Sequence, residues 1–490
     1  MSSALESASR EDLLALIGLL QRQVAAAEAR AEAAEVQAGE LAVANERLTA
    51  RVAELERRLG RNSGNSSMPP SSDTFGRPEK KPQPRSGRKR GRQPGTDGSG
   101  LAMTDKPDAT EDHVPAACSG CGRTLEQGDS VGFERRQVRD IPLSTVKITE
   151  HRAHRCRCAC GTVTAQPMPE QIAGSPSSYG PNLRALAVYL LVFQHIPVER
   201  TAQLIKDVTG AEVSTGWVAS LLGEAAGLVA DSVNLIRALL VMGHVLHADE
   251  TTTRIGSVRR WLHVACTDLL TLLHLAPRSR AGADAGGVLP NYRGVLVHDS
   301  LSLYAGYPHC AHQLCGAHLI RELTAAEEDF PHQRWHQQIR WTLAGLNTQA
   351  MRVRAGEIGE ITPEALLLHL DAFHQGITVG LSEHPRAPGR KQSPARNLLE
   401  RLRDQAHSIL RFADDPLHVP FTNNCGERAL RPVKTQLKIS GCHQSEHGAT
   451  AWLTVRSYLD SARKHGLSAF EAIHRAFTGN LWMPPIEQAA

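Results

Sequence analysis

At 490 residues the chain is about three ordinary domains long, and its composition, 41% hydrophobic, 22% charged and 4% aromatic, is that of a soluble protein. Ten cysteines are too few for a disulfide scaffold, no run reaches the ~18 uncharged apolar residues of a bilayer span, and Met1–Glu6 lacks a basic-then-apolar leader. The net charge of +4 is unevenly spread: residues 61–100 hold nine Lys/Arg against three acids, while the other 450 residues hold 46 against 48.

A cytoplasmic, nucleoid-associated protein with a polyanionic partner and no membrane attachment is therefore expected. In that reducing setting, clustered cysteines bind metal more often than they pair.

Residues 1–60 read as a coiled coil. A heptad runs unbroken from Leu13 to Leu59, with Leu13, Leu20, Ala27, Ala34, Leu41, Leu48 and Leu55 at d and Ile17, Val24, Ala31, Ala38, Asn45, Val52 and Leu59 at a. Leu at d, branched residues at a and one Asn at a suit a two-stranded seam, which predicts self-association through this arm. A single helix lying on the body of the protein is the alternative, and the pattern does not set the sense of the strands.

Residues 61–112 switch to Gly, Pro, Ser and Lys/Arg, too poor in apolar groups to offset the entropy of ordering, and read as a disordered basic linker. Arg85, Arg88, Lys89, Arg90 and Arg92 are its candidate phosphate contacts, giving affinity without sequence choice. A plain solvated tether is the other reading.

Residues 113–175 read as a small zinc-binding β module. Cys118-Ser-Gly-Cys121-Gly122 and Cys156-Arg-Cys158-Ala-Cys160-Gly161 flank a strand-like stretch, Phe133–Thr149. Two thiolate pairs close a tetrahedral, structural Zn²⁺ site with no open position for chemistry. Cys118, Cys121, Cys158 and Cys160 are the expected ligands because Gly161 mirrors Gly122, with Cys156 as the alternative.

Residues 176–240 are helical from Pro181, with Leu183, Leu186, Ala187, Leu190 and Leu191 on one stripe. Thr201–Val208 and Thr215–Leu222, joined through Gly210, form a helix-turn-helix-like pair: a DNA-binding segment, or simply core packing.

From 241 the pattern changes again. A strand ending in Asp249, two strands (Arg260–Cys266 and Leu269–Leu275), a helix-compatible segment (Ala281–Leu289) and a strand ending in Asp299 follow the order of a ribonuclease-H-like core. Adjacent central strands would set the two aspartates side by side, and carboxylates that close repel unless cations separate them, which invites Mg²⁺. Further on, Thr422–Lys434 reads as a helix opened by Asn423 or Asn424 and carrying Glu427, with Arg428, Arg431 and Lys434 suited to a phosphate backbone. Pro432 is expected to kink or end it.

These motifs carry a resemblance. Asn62–Asp73, the basic Pro/Gly linker, the cysteine knuckles, His247-Ala-Asp249-Glu-Thr, Val297-His-Asp299, Cys315-Gly-Ala-His318-Leu-Ile-Arg-Glu322 and Asn423-Asn-Cys-Gly-Glu427-Arg-Ala-Leu-Arg431 resemble a DDE transposase of the insertion-sequence-66 family over nearly the whole chain. The resemblance implies a multidomain α/β protein: a ribonuclease-H-like catalytic core in two parts, 241–310 and 421–490, the latter with C-terminal helices. It implies a large α-helical insertion at 311–420 and an Asp249, Asp299, Glu427 triad holding two Mg²⁺ ions, for which Mn²⁺ substitutes. Cys315 and His318 match a Cys-x-x-His pair of related transposases and are placed near the active site, or serve only to pack a helix N-terminus.

The activity implied is nicking at the ends of an insertion element and joining of the 3′-OH ends to target DNA. The partners implied are double-stranded DNA and accessory proteins of the same element. The rival expectations are a sequence-specific DNA-binding regulator with an inactive core, and a ribonuclease-H-like nuclease that cuts without joining.

Overall fold

The computed structural model describes residues 9–61, 103–140, 146–168 and 177–486. The basic run with Arg85, Arg88, Lys89, Arg90 and Arg92 lies outside the described residues.

The heptad segment is one continuous helix, α1, Arg10–Leu59. Its seam is uncovered: Leu20, Val24, Leu41, Leu48 and Val52 are all exposed.

The cysteine region builds little regular structure. Arg155–Arg157 (β1) and Val163–Ala165 (β2) form a short antiparallel hairpin with Cys156 opposite Thr164. The strand expected over Phe133–Thr149 does not form in its described part, and Phe133, Val138 and Ile148 stay more than four-fifths exposed. The physical reason is the lack of a partner: a β-branched run gains nothing from extension unless a neighbouring strand and a buried face reward it. Residues 141–145 lie outside the described residues.

Pro181–Val188 (α2) runs into one π-helical turn, Tyr189–Phe193, followed by Val198–Thr209 (α3), Thr215–Leu228 (α4) and Ala230–Met242 (α5). The α3–α4 junction is set by local chemistry. Gly210 takes the left-handed conformation that ends α3 (φ 74°), and the Ser214 hydroxyl accepts the Trp217 N–H at 3.1 Å to start α4. Among the described residues no single helix is long and apolar enough to cross a membrane; α4 and α5 together pass by composition but are bent by 50° and pack into the core.

The centre is a five-stranded mixed sheet of Val245–Ile255 (β3), Val258–Cys266 (β4), Thr271–Leu275 (β5), Val295–His298 (β6) and Ala311–Leu314 (β7), in the order β5-β4-β3-β6-β7. β3, β4 and β5 are antiparallel neighbours, while β6 and β7 add in parallel beside β3. The helix expected over Ala281–Leu289 shrinks to five residues, Arg280–Asp284 (α6), because glycines at 286 and 287 follow it and Gly287 turns left-handed (φ 73°). β7 extends the sheet into the segment expected to begin the helical insertion.

The insertion proper comprises Gly316–Asp329 (α7), Trp335–Arg354 (α8), Pro363–Glu383 (α9), Pro394–Asp404 (α10) and Ala406–Asp414 (α11), around a second core that includes Trp335, Leu343, Phe373 and Leu399. Asn424–Ile439 (α12), Glu446–Lys464 (α13) and Ala469–Phe477 (α14) then return to the sheet.

Both sheet edges are closed by side chains, which removes the edges as aggregation templates. On β5, Thr271 and Leu273 donate their N–H groups to Ser461 (3.0 Å) and Ser457 (2.9 Å) of α13. On β7, the buried Gln313 amide accepts the Phe412 N–H at 2.8 Å and donates to the Ile409 carbonyl at 3.2 Å, both in α11.

Candidate active site

Register brings the acids together. Val245 pairs with Val295 and His247 with Val297, so continuing β3 and β6 in parallel sets Asp249 level with Asp299. Asp249 does not end its strand as expected: β3 continues for six more residues to Ile255, paired with β4 throughout. The acid therefore sits on a rigid ladder, where its position is more closely fixed than on a loop. Asp299 lies just past β6 and accepts the Leu301 N–H at 3.0 Å, while Asp249 accepts the Glu250 N–H at 2.8 Å.

α12 brings the third acid. The helix starts at Asn424, with Asn423 as its N-cap residue and Glu427 in its first turn. The buried Asn423 side chain fastens this end to β3: its Nδ2 donates to the Ala248 carbonyl at 2.9 Å, and its Oδ1 meets His247 Nδ1 at 2.9 Å. Gly426 permits the approach, since a Cβ there would lie 3.3 Å from the Asp249 Cβ and 3.0 Å from Asn423 Oδ1. A third tie is sulfur: Cys425 meets Cys266 of β4 at 3.6 Å and donates to the Thr267 carbonyl at 3.3 Å.

Pro432 does not end α12, which continues to Ile439. A proline here removes only the bond to the Arg428 carbonyl, and packing of Leu430, Val433 and Gln436 against the core holds the helix through the gap. Arg428 and Arg431 are exposed and Lys434 half-buried, one and two turns beyond Glu427 in the case of Arg431 and Lys434.

Crowding of negative charge is visible in Asp249. Burial, then the charges of Asp299, Glu250 and Glu427, push its carboxyl up to about 8 from an ordinary 3.8, against the stabilising Glu250 N–H. Glu427 Oε1 is buried and has no hydrogen-bond partner among the described residues. An orphaned carboxylate oxygen beside a carboxyl held above its normal range describes a pocket that lacks positive charge.

Cys315 and His318 fall at this same place. Cys315 Sγ, His318 and Glu427 offer donor atoms that all lie within 4.8 Å of one another. Cys315 is buried at the start of α7 and accepts the Asn423 N–H at 3.2 Å, and burial pushes its thiol up. His318 Nδ1, like Glu427 Oε1, is buried without a partner among the described residues.

Sequence reasoning missed several members of this constellation. The Glu250 side chain is 3% exposed and held from two sides: Arg278 donates to Oε1 at 2.7 Å and the Tyr304 hydroxyl donates to Oε2 at 2.8 Å. Arg278 also stacks on Trp261 at 4.5 Å. Consecutive acids in a strand point to opposite faces, so the Asp-Glu pair was itself the available signal that the two differ in role. His247 and Asn423 join across 176 residues, and no local pattern announces that contact.

The cysteine knuckles are formed but apart. Cys118 donates its N–H to Arg123 and accepts from Gly122 (2.8 and 2.9 Å); Cys158 repeats this with Thr162 and Gly161 (2.8 and 2.9 Å), and Gly122 and Gly161 are both left-handed. Among the described residues no three of Cys118, Cys121, Cys156, Cys158 and Cys160 offer sulfurs within 4.8 Å of one another. Hydrogen bonding to Thr162 pulls the Cys160 thiol down to about 7.

A family model described as "Transposase IS66 family" matches residues 176–451, a span containing Asp249, Asp299 and Glu427, and a family of unknown function (DUF6444) matches residues 20–102. The chain is also 24% identical over 386 residues to the uncharacterized protein y4hP of Sinorhizobium fredii, covering 70% of this chain and 67% of that protein.

Proposed function

The chain belongs to the IS66 transposase family, whose model spans more than half of it, and on that premise we propose that it is a DDE transposase acting through Asp249, Asp299 and Glu427. The sheet order β5-β4-β3-β6-β7, with three antiparallel strands followed by two parallel ones, supports a ribonuclease-H-like core. The observation that carries the reading is the convergence of three carboxylates from β3, the end of β6 and α12, with the Asp249 carboxyl raised to about 8 and Glu427 Oε1 unpartnered among the described residues.

Such a donor set fits hard divalent cations, which take oxygen ligands, and Asp249, Asp299 and Glu427 would hold them. Two Mg²⁺ ions, or Mn²⁺ in their place, would supply there a water of lowered pKa and charge neutralisation at the leaving oxygen. The protein's own contribution is placement. β3 fixes Asp249 on its ladder, and the Asn423–His247 tie holds Glu427 against it. Arg428, Arg431 and Lys434 on α12 meet the phosphates of the bound DNA.

In the first reaction water attacks a phosphodiester at the element end, leaving a free 3′-OH and a 5′-phosphate. In the second that 3′-OH attacks a target phosphodiester, forming one bond as another breaks. The protein supplies no nucleophile.

The rest of the chain serves this reaction in the same reading. α1 pairs protomers through its uncovered seam, and the α3–α4 pair and the basic linker hold DNA. The matched backbone turns of the two cysteine knuckles support a structural Zn²⁺ bound by Cys118, Cys121, Cys158 and Cys160. Accessory proteins of the same element are further partners.

Incubation with Mg²⁺ and labelled element-end DNA tests the assignment. Nicks at the 3′ ends followed by joined product are expected. Binding without cleavage would show a regulator with an inactive core, and cleavage without joining a simple nuclease.

A further inference from the structure

A second cluster of metal-ligating side chains lies away from the catalytic carboxylates. His244, at the entry to β3, and Asp415 and His418, just after α11, offer three donor atoms all within 4.8 Å of one another. His244 Nε2 lies 3.0 Å from Asp415 Oδ2, and His418 Nδ1 lies 2.8 Å from Asp415 Oδ1. The two imidazoles meet edge to face with centroids 5.3 Å apart. Asp249 lies five residues beyond His244, so the two sites are on the order of 16 Å apart along β3.

We propose that His244, Asp415 and His418 bind one zinc-class divalent cation, which fastens the start of the central strand to the segment leading from the helical insertion to α12. Four observations carry this. The donor set is two imidazoles and one carboxylate, which selects Zn²⁺ and its transition-metal neighbours over Mg²⁺ or Ca²⁺.

The spacing is close to that of a coordination shell: ligands about 2.0–2.1 Å from zinc sit roughly 3.3 Å apart in a tetrahedron, so the present separations need little adjustment. The backbone beneath is already fixed, because the His244 carbonyl accepts both the Val295 N–H and the Tyr292 hydroxyl at 2.8 Å, and Asp415 closes α11 through its N–H to Arg411 at 3.0 Å.

Access is open, since both imidazole side chains are 57% exposed while the carboxylate between them is 33% exposed. One coordination position is left for water.

Binding requires lone pairs where the present arrangement has hydrogen bonds. The proton of His244 moves to Nδ1 and that of His418 to Nε2, while Asp415 exchanges two hydrogen bonds for the cation. The clamp joins groups 171 residues apart in the chain, one upstream of Asp249 and one upstream of Glu427. It does not depend on the transposase reading.

The test uses the full chain with the cysteine module disabled by Cys118→Ser and Cys121→Ser. The protein is stripped with chelator and dialysed against Zn²⁺, and metal per chain is measured by mass spectrometry. Adding His244→Ala and His418→Ala is expected to remove one Zn²⁺ per chain; equal zinc content in the two proteins overturns the proposal. A second measurement needs no variant. Zn²⁺ is expected to suppress labelling of His244 and His418 by diethyl pyrocarbonate in the unaltered protein, while the exposed His332 and His374 label as before. Unchanged labelling of His244 and His418 overturns it equally.

Discussion

Replacing Asp249 with Asn should stabilise the metal-free protein while abolishing its chemistry. Burial and the charges of Asp299, Glu250 and Glu427 hold the Asp249 carboxyl at about 8, above its ordinary 3.8. A carboxyl raised in this way favours the folded state below its ordinary pKa, and that contribution is lost as pH rises through 3.8 toward 8. At ~1.4 kcal/mol per pH unit, the interval up to pH 7 amounts to on the order of 4 kcal/mol, which solvent reaching the half-buried carboxylate reduces to on the order of 2–4.

Asn is neutral at every pH and nearly the same shape, so Asp249→Asn should recover that amount. For a folded unit of ~150–250 residues, each kcal/mol moves Tm by ~2–4 °C, which predicts a rise on the order of 10 °C at pH 7. The assay is thermal unfolding of both proteins in EDTA from pH 5 to 8, repeated with Mg²⁺. The gap between them should widen with pH in EDTA and shrink in Mg²⁺, because the cation stabilises the native protein by mass action and the variant less. An Asn variant less stable than the parent at pH 7, or a gap that ignores pH, would refute the account of Asp249 as a buried carboxyl crowded by neighbouring acids.

Three further outcomes follow from the geometry. Gly426→Ala places a methyl 3.3 Å from the Asp249 Cβ and 3.0 Å from Asn423 Oδ1; a cost of about 1–3 kcal/mol and, if α12 shifts by ~1 Å, a ~10²-fold loss of nicking rate are expected, read by denaturant unfolding and single-turnover cleavage. His318→Ala should slow single-turnover nicking by about 10–100-fold with unchanged affinity for element ends. Cys315→Ser should cost far less, because a hydroxyl still accepts the Asn423 N–H; equal losses in the two variants would contradict this. The parent is expected to be oligomeric by light scattering, and Leu20→Glu with Leu48→Glu, which puts charge into the seam of α1, should make it a monomer; an unchanged mass would show that α1 is not a contact between protomers.

What could be read from the sequence was what depends on neighbours along the chain. The heptad from Leu13 to Leu59 marks α1 to within three residues of its observed start, because amphipathic period and helix propensity agree there. Gly210 and Ser214 announce the α3–α4 turn through conformations and caps that are local by nature. The neighbouring positions of Asp249 and Asp299 were legible because two apolar runs each end near an acid, and parallel pairing of equal lengths sets them level.

Failures occurred where distant partners decide. β3 runs past Asp249 because β4 pairs with it through Ile255, while the described part of Phe133–Thr149 has strand-like residues but no strand among the described residues to pair with. Pro432 looked like a helix end, yet tertiary packing of its neighbours holds α12 together. The contacts of Glu250, His247 and Asn423 were not legible for the same reason, although the motifs that hold these residues were, since their roles are fixed by Tyr304, Arg278 and each other across the fold. The contact between Cys315, His318 and Glu427 combines residues more than a hundred positions apart, although the Cys-x-x-His spacing had marked its first half.

The central claim is that Asp249, Asp299 and Glu427 together make the protein a strand-transferring enzyme. Its most direct measurement is strand transfer from pre-nicked element ends carrying a free 3′-OH, with Mg²⁺, comparing the parent with Asp249→Asn at equal DNA occupancy. Joined product from the parent and none from the variant is the predicted result. Joining by the Asn variant at the parent's rate, or none by either protein with DNA bound, would contradict it.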